Sequence, residues 1–191
     1  MRAFLDFEAS SLAKLGYPIE VAWVFEDGRS ESHLIRPLPA WTDWDERAAA
    51  VHGISQALLL AEGEAAENVA RRVLDVLTGH AVYASSPSWD GKWLSLLLRA
   101  GGLPRHALRL RDTDEAQYEG AAEILAIAVP ADELDTATKA VIASVRAGAD
   151  SQPIAHRALA DAMHERQIWL DVREAARQQA EHVITKSGKA S

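Results

Sequence analysis

Phe4-Leu5-Asp6-Phe7-Glu8-Ala9-Ser10-Ser11 is the stretch on which the reading of this 191-residue chain turns. Phe4, Leu5 and Phe7 are apolar and predict a short buried strand, which Asp6 and Glu8 interrupt two positions apart. Side chains alternate along a strand, so this spacing sets both carboxylates on one face. Buried there without partners, they would be desolvated together and would repel each other. Two arrangements avoid that penalty. Either the strand lies at an edge with a solvated acidic face, or the pair holds a hard divalent cation. An ion such as Mg²⁺ takes carboxylate oxygens and keeps waters and phosphate oxygens as its other ligands.

Outward from this strand the pattern is that of a meander. Ile19 to Phe25 is rich in strand formers, Asp27-Gly28 is a hairpin signal, and Ser30 to Ile35 alternates as a third strand. A loop with Trp41 and Trp44 follows, in which Thr42 or Asp43 can cap a short helix that ends at His52-Gly53. Ser55 starts another short turn. Glu64 to Leu77 has the spacing of an amphipathic helix, and His80 to Ala84 that of a buried strand. Ser88 can cap a helix over Trp89 to Ala100, and Leu108 to Leu110 is a short strand leading to Asp112-Thr113. From Glu115 only helices are expected: one through Ala126, one from about Ala131 to Arg146, and one opening near Ser151 and Pro153. The helical pattern lasts to about His182. The expected fold class is α/β, a mixed sheet of a three-strand antiparallel meander plus parallel strands, covered by helices, with a helical C-terminal part. No linker divides the chain, so one domain over 1–184 with a frayed polar tail at 185–191 is expected.

Composition narrows the function. There are no cysteines, which excludes disulfides, thiol chemistry and Cys-ligated zinc. The formal net charge is -8, against loose, charge-driven binding to nucleic acid but not against an enzyme that holds phosphates through metal ions. No apolar run reaches the length of a membrane span, and an acidic residue at position 6 breaks any signal-peptide pattern. A cytoplasmic protein is expected.

Three later positions add to the acidic pair. Asp90 follows a strand and turn in Ser88-Trp89-Asp90-Gly91-Lys92-Trp93-Leu94, where a helix-capping role is the ordinary reading. His156 and Asp161 lie five residues apart. On a regular helix that step turns them about 140° from each other, so they share a site only if His156 lies on the segment entering the helix. Asp-x-Glu on a first strand, a later Asp and a final His-x-x-x-x-Asp together resemble the DEDD-type 3′–5′ exonucleases of the His subclass, which include ribonuclease T, oligoribonuclease and polymerase proofreading subunits. The resemblance covers roughly residues 3 to 165. It extends to Ile19-Glu20-Val21-Ala22, to Val51-His52-Gly53-Ile54 and to Asp112-Thr113.

The resemblance implies a ribonuclease H-like fold and a metal-dependent 3′–5′ exonuclease. Phosphodiester hydrolysis in such a site can use two metal ions about 4 Å apart, one activating water and one stabilising the leaving oxygen. Asp6, Glu8, Asp90 and Asp161 would hold two Mg²⁺ or Mn²⁺ ions, with Asp6 bridging, and His156 would be the general base. Ser10 and His52 are implied at the substrate's terminal nucleotide, the alternative for His52 being that it simply ends its helix. Arg157 is a phosphate candidate by position. The substrate it implies is the 3′ end of single-stranded RNA or DNA, with RNA favoured because the chain is compact, and a homodimer is expected as in several small members. Trp89 and Trp93 are expected in the core. Arg99, Arg105, Arg109 and Arg111 are either a solvated edge or a nucleic-acid contact. The rival reading is a nuclease-fold module that binds or scaffolds without catalysis. Product release from a labelled strand, with metal and with chelator, separates the two.

Overall fold

The computed structural model describes residues 1–149 and 156–188. It falls into two compact units, Met1–Asp112 with Ile154–His164, and Thr113–Pro153 with Glu165–Ser191. The first unit carries strands β1 (Arg2–Ala9), β2 (Pro18–Phe25) and β3 (Ser30–Arg36), then helices α1 (Glu46–His52) and α2 (Gln56–Glu62). A two-residue strand β4 (Glu64–Ala65), helix α3 (Ala66–Leu77), strand β5 (Ala81–Ala84), helix α4 (Pro87–Ala100) and strand β6 (Leu110–Asp112) complete it. Among the described residues these strands form one six-stranded sheet in the order β4-β3-β2-β1-β5-β6. The pairs β1–β2 and β2–β3 are antiparallel, as the meander predicts, while β5 runs parallel to β1 and β6 parallel to β5.

Alternation decides which face of the sheet is greasy. Leu5, Phe7, Val21 and Trp23 point into a core with Val69, Val73 and Leu77 of α3 and with Leu94, Leu97 and Leu98 of α4. The other side chains of β1 and β2 therefore face the opposite way, and these include Asp6, Glu8 and Glu20. A second core gathers Tyr17, Ile19, Ile54 and Leu59 where the loop after β3 and α2 fold back.

Several boundaries differ from the sequence expectation. Helix α1 is capped by Asp45, whose carboxylate accepts from the Arg47 amide at 2.8 Å, not by Thr42 or Asp43. Asp43 instead accepts from the Ser11 hydroxyl. Glu64 and Ala65 do not begin a helix but pair in parallel with Ile35 and Arg36. Gly63 permits that bridge, since a Cβ there would sit 2.3 Å from the Leu59 carbonyl oxygen and 2.7 Å from the Arg36 nitrogen. Helix α4 opens at Pro87 rather than Trp89, with Pro87 in the first turn, where its missing N–H costs nothing.

The second unit is helical: α5 (Thr113–Leu125), α6 (Leu134–Ala149) and the larger part of α7 (Ala158–Gly188). Leu125, Val141, Val172 and Ala176 form its core. Arg146 donates to both Asp114 and Gln117. The expected helix start at Ser151 and Pro153 lies outside the described residues. Helix α7 begins only at Ala158 and runs past the expected end near His182 to Gly188, with the Thr185 hydroxyl donating to the Glu181 carbonyl at 2.8 Å. The tail expected to fray from 185 is thus helical to 188, and 189–191 lie outside the described residues. No described helix is long and apolar enough to cross a membrane.

Candidate active site

All the expected acidic residues fall in the first unit. Strand β1 pairs with β5 only over Arg2–Phe4, because β5 stops at Ala84 and the chain turns into α4. The C-terminal half of β1 is thereby left without a neighbour on that side. Into this opening α4 projects Asp90, which is buried and whose carboxylate accepts from the Ser86 amide at 3.3 Å. The Phe7 amide of β1, between Asp6 and Glu8, also points to it. Burial pushes the Asp90 carboxyl up from its ordinary 3.8 to about 7, and these amides act in the opposite sense.

Asp161 comes from the far end of the sequence. It lies in the first turn and a half of α7, and its amide donates to the Arg157 carbonyl at 3.0 Å. Oxygens of Asp6, Glu8 and Asp161 lie within 4.8 Å of one another, and all three residues are half-buried. Two unit charges so close repel by roughly 3–4 kcal/mol at an effective dielectric of about 20. Three cannot be assembled without a counter-ion or a proton. Glu8 shows the strain: burial first, then Asp161, Glu20 and Asp90, raise its carboxyl from 4.5 to about 7, with Arg157 working against them. The donor set is oxygen only, which suits a hard divalent cation. Asp6, Glu8 and Asp90 also line a cavity of about 560 Å³, with Ser11, Leu12, His52, Ser86 and Trp89 among its walls.

A buried acid outside the expected set anchors the start of α7. Glu20 stands opposite Glu8 in the β1–β2 register and is 2% exposed. It accepts from Arg157 Nε at 3.0 Å and Nη2 at 2.6 Å, from the Ala158 amide at 3.1 Å and from the Ser32 hydroxyl at 3.3 Å. The Arg157 guanidinium, expected at a phosphate, is therefore bonded to Glu20. Ser10 likewise is fully buried, its hydroxyl accepting from the Tyr17 amide at 3.1 Å, and Ser11 and Leu12 rather than Ser10 reach the cavity. The signal for Glu20 was in the sequence: an acid inside an otherwise apolar strand must have a partner.

If Arg157 is a tether, Arg157→Ala should destabilise the protein by about 1–3 kcal/mol, the usual range for leaving a buried acceptor short of partners. Urea unfolding measures this. A phosphate ligand would instead leave stability unchanged and raise KM alone.

His52 does line the cavity and is 5% exposed. Its Nδ1 accepts from the Ile54 amide at 3.0 Å, which places the proton of the neutral ring on Nε2. Burial lowers its pKa and keeps it neutral. The Nε2 atom is buried without a partner among the described residues. His156 sits before the helix, as sharing a site with Asp161 requires, exposed and with φ of 47°. Histidine is among the few side chains enriched in that left-handed region. Trp93 is in the core as expected, but Trp89 is 41% exposed, stacked on Trp93 at the cavity wall, with the Lys92 ammonium over both rings.

The raised carboxyls set a pH dependence. Folded Glu8 and Asp90 hold protons up to about pH 7, whereas unfolded carboxyls release theirs near 4. The folded state binds more protons across that window, so metal-free stability falls as pH rises from about 4 to 7. In chelator, Tm should be higher at pH 5 than at pH 8, and added Mg²⁺ or Mn²⁺ should raise Tm far more at pH 8. Equal metal stabilisation at both pH values would contradict the shared carboxylate site.

No family model and no curated protein matches the chain. Solved structures do. E. coli exonuclease I in complex with a dA16 oligonucleotide superposes with a TM-score of 0.65 at 15% identity, over 94% of this chain and 42% of that one. The zinc-bound form of the E. coli exonuclease I–single-stranded DNA complex gives 0.65 at 15%, over 97% and 42%. Exonuclease I from Methylocaldum szegediense gives 0.62 at 17%, over 91% and 40%. The chain thus has the ribonuclease H-like fold of these proteins and spans about two-fifths of their length.

Proposed function

We propose that this chain is a metal-dependent 3′–5′ exonuclease of the DEDD type that hydrolyses single-stranded nucleic acid and releases nucleoside 5′-monophosphates. One observation carries the reading: the carboxylates of Asp6, Glu8 and Asp161 converge, and Asp90 joins Asp6 and Glu8 on the wall of one cavity. That donor set suits two Mg²⁺ or Mn²⁺ ions, which when bound supply an activated water and charge stabilisation at the leaving oxygen. His156 accepts the proton of the attacking water at a ring nitrogen. His52 offers its Nε2–H to a sugar or phosphate oxygen of the terminal nucleotide. Ser10 and Arg157 act one step back: Ser10 holds the turn before β2, and Arg157 fixes the start of α7 through Glu20.

Two of the similar structures hold single-stranded DNA, and this favours DNA as the substrate, with RNA, expected from the chain's compactness, as the nearest rival. The test is product release from end-labelled single strands of matched DNA and RNA sequence, with Mg²⁺, Mn²⁺ and chelator. Metal-dependent appearance of mononucleotides from the 3′ end supports the reading. Tight binding without hydrolysis in any metal supports a non-catalytic module instead. Light scattering tests the proposed homodimer, which fails if only a 20.8 kDa species is seen.

A further inference from the structure

The stretch from Arg99 to Arg111 carries Arg99, Arg105, His106, Arg109 and Arg111 and no acid, in a chain whose net charge is -8. In the fold it is the connection from α4 into β6 and the start of that strand. Arg111 turns inward, donating to the Tyr83 hydroxyl at 2.9 Å. Arg105, His106 and Arg109 stay exposed and, among the described residues, have no acidic partner. They line a groove of about 400 Å³ together with Pro87, Gly91 and Leu94 of α4 and with Leu108 and Leu110.

The position of this groove gives it a use. Pro87, Gly91 and Leu94 follow one another at steps of four and three, so they form one stripe of α4. Trp89, Asp90 and Trp93 occupy the adjoining face and line the catalytic cavity. One helix, about 10–12 Å across, therefore separates the groove from the proposed site of cleavage. Gly91 on this stripe faces open space, since a Cβ there would meet nothing within 4 Å. A groove lined by exposed cations is what the phosphate backbone of a single strand tracks along.

We propose that the Arg105–His106–Arg109 groove binds the backbone of the strand upstream of its 3′ end. The proposal rests on the exonuclease reading. It gives an acidic protein a surface that holds the strand through cationic side chains, apart from the metal site.

The experiment compares two substrates, a single-stranded DNA 12-mer and the p-nitrophenyl ester of thymidine 5′-monophosphate, which has no upstream strand. Arg105→Glu/Arg109→Glu should lower kcat/KM on the 12-mer by about 10–100-fold and leave the ester unchanged. The salt dependence of 12-mer binding should flatten by about 1.4 in log–log slope, two contacts at about 0.7 each. The charge-matched control Arg71→Glu/Lys186→Glu should keep 12-mer turnover within about twofold. Retained ester hydrolysis proves the groove variant folded, and the milder Arg105→Gln/Arg109→Gln should show the same selective loss at smaller size. If the groove variant matches the control on the 12-mer, the groove proposal falls and the exonuclease reading stands. If it keeps 12-mer turnover but loses binding to polyglutamate, the surface takes an acidic protein segment and the strand proposal is overturned. If the wild type cleaves neither substrate in any metal, both readings fall together.

Discussion

Asp6→Asn is expected to lower kcat/KM by about 10³-fold or more while the protein stays folded. The amide has the shape of the carboxylate, so β1, paired with β2 from Ala3 to Ala9, has no reason to move. What changes is charge. Asp6 is one of three carboxylates within 4.8 Å, and it shares the cavity wall with Asp90. Removing its charge weakens the hold on both proposed ions, and charge stabilisation of this kind is worth several kcal/mol at the transition state. The same loss relieves repulsion on Glu8 and Asp161. In chelator the variant's Tm should therefore equal or exceed the wild type's, and the rise on adding metal should shrink. Near-normal turnover by a folded Asp6→Asn would remove Asp6 from the mechanism. A collapse of Tm in chelator would make it a structural residue.

His156→Ala is expected to lower turnover by about 10²–10⁴-fold, the range for a lost general base, with metal affinity nearly unchanged. The geometry separates it from the ligands. His156 is exposed, precedes the first residue of α7, and is absent from the oxygen cluster, whereas Asp161 sits inside the helix and within it. A residue placed on the segment leading into a helix can close on a water when substrate is bound. Calorimetry with Mn²⁺ on His156→Ala and Asp161→Asn decides the matter. Equal loss of metal binding by the two would make the histidine a ligand and end its role as base.

Much of this was legible in advance. The Asp6–Glu8 spacing placed both acids on one face, and the five-residue step from His156 to Asp161 required the histidine to sit ahead of its helix, as it does. Four things were hidden, each for a physical reason. Glu64–Ala65 is too short to show periodicity, and its pairing depends on Gly63 fitting against Arg36. Three candidate caps lie within four residues, Thr42, Asp43 and Asp45, and only the tertiary bond from Ser11 removes Asp43 from the choice. Trp89 follows the spacing of a core residue, yet the same helix that buries Trp93 turns Trp89 to the cavity. That Glu20 needs a partner follows from its apolar strand, but which partner, 137 positions away, depends on contacts no local pattern encodes.

That long reach has a consequence for the chain as it is made. The cluster needs Asp6 from the first strand and Asp161 from the last helix, and the Glu20 tether that seats this helix cannot form before Arg157 and Ala158 exist. At about 5–20 residues per second of synthesis, the 155-position step from Asp6 to Asp161 separates their appearance by roughly 8–30 s. Once β6 has been made, late in that interval, the sheet can assemble while the proposed metal site still lacks Asp161. Activity on a ribosome-bound chain should switch on late and in one step, when the last helix emerges, rather than grow with the length of folded sheet.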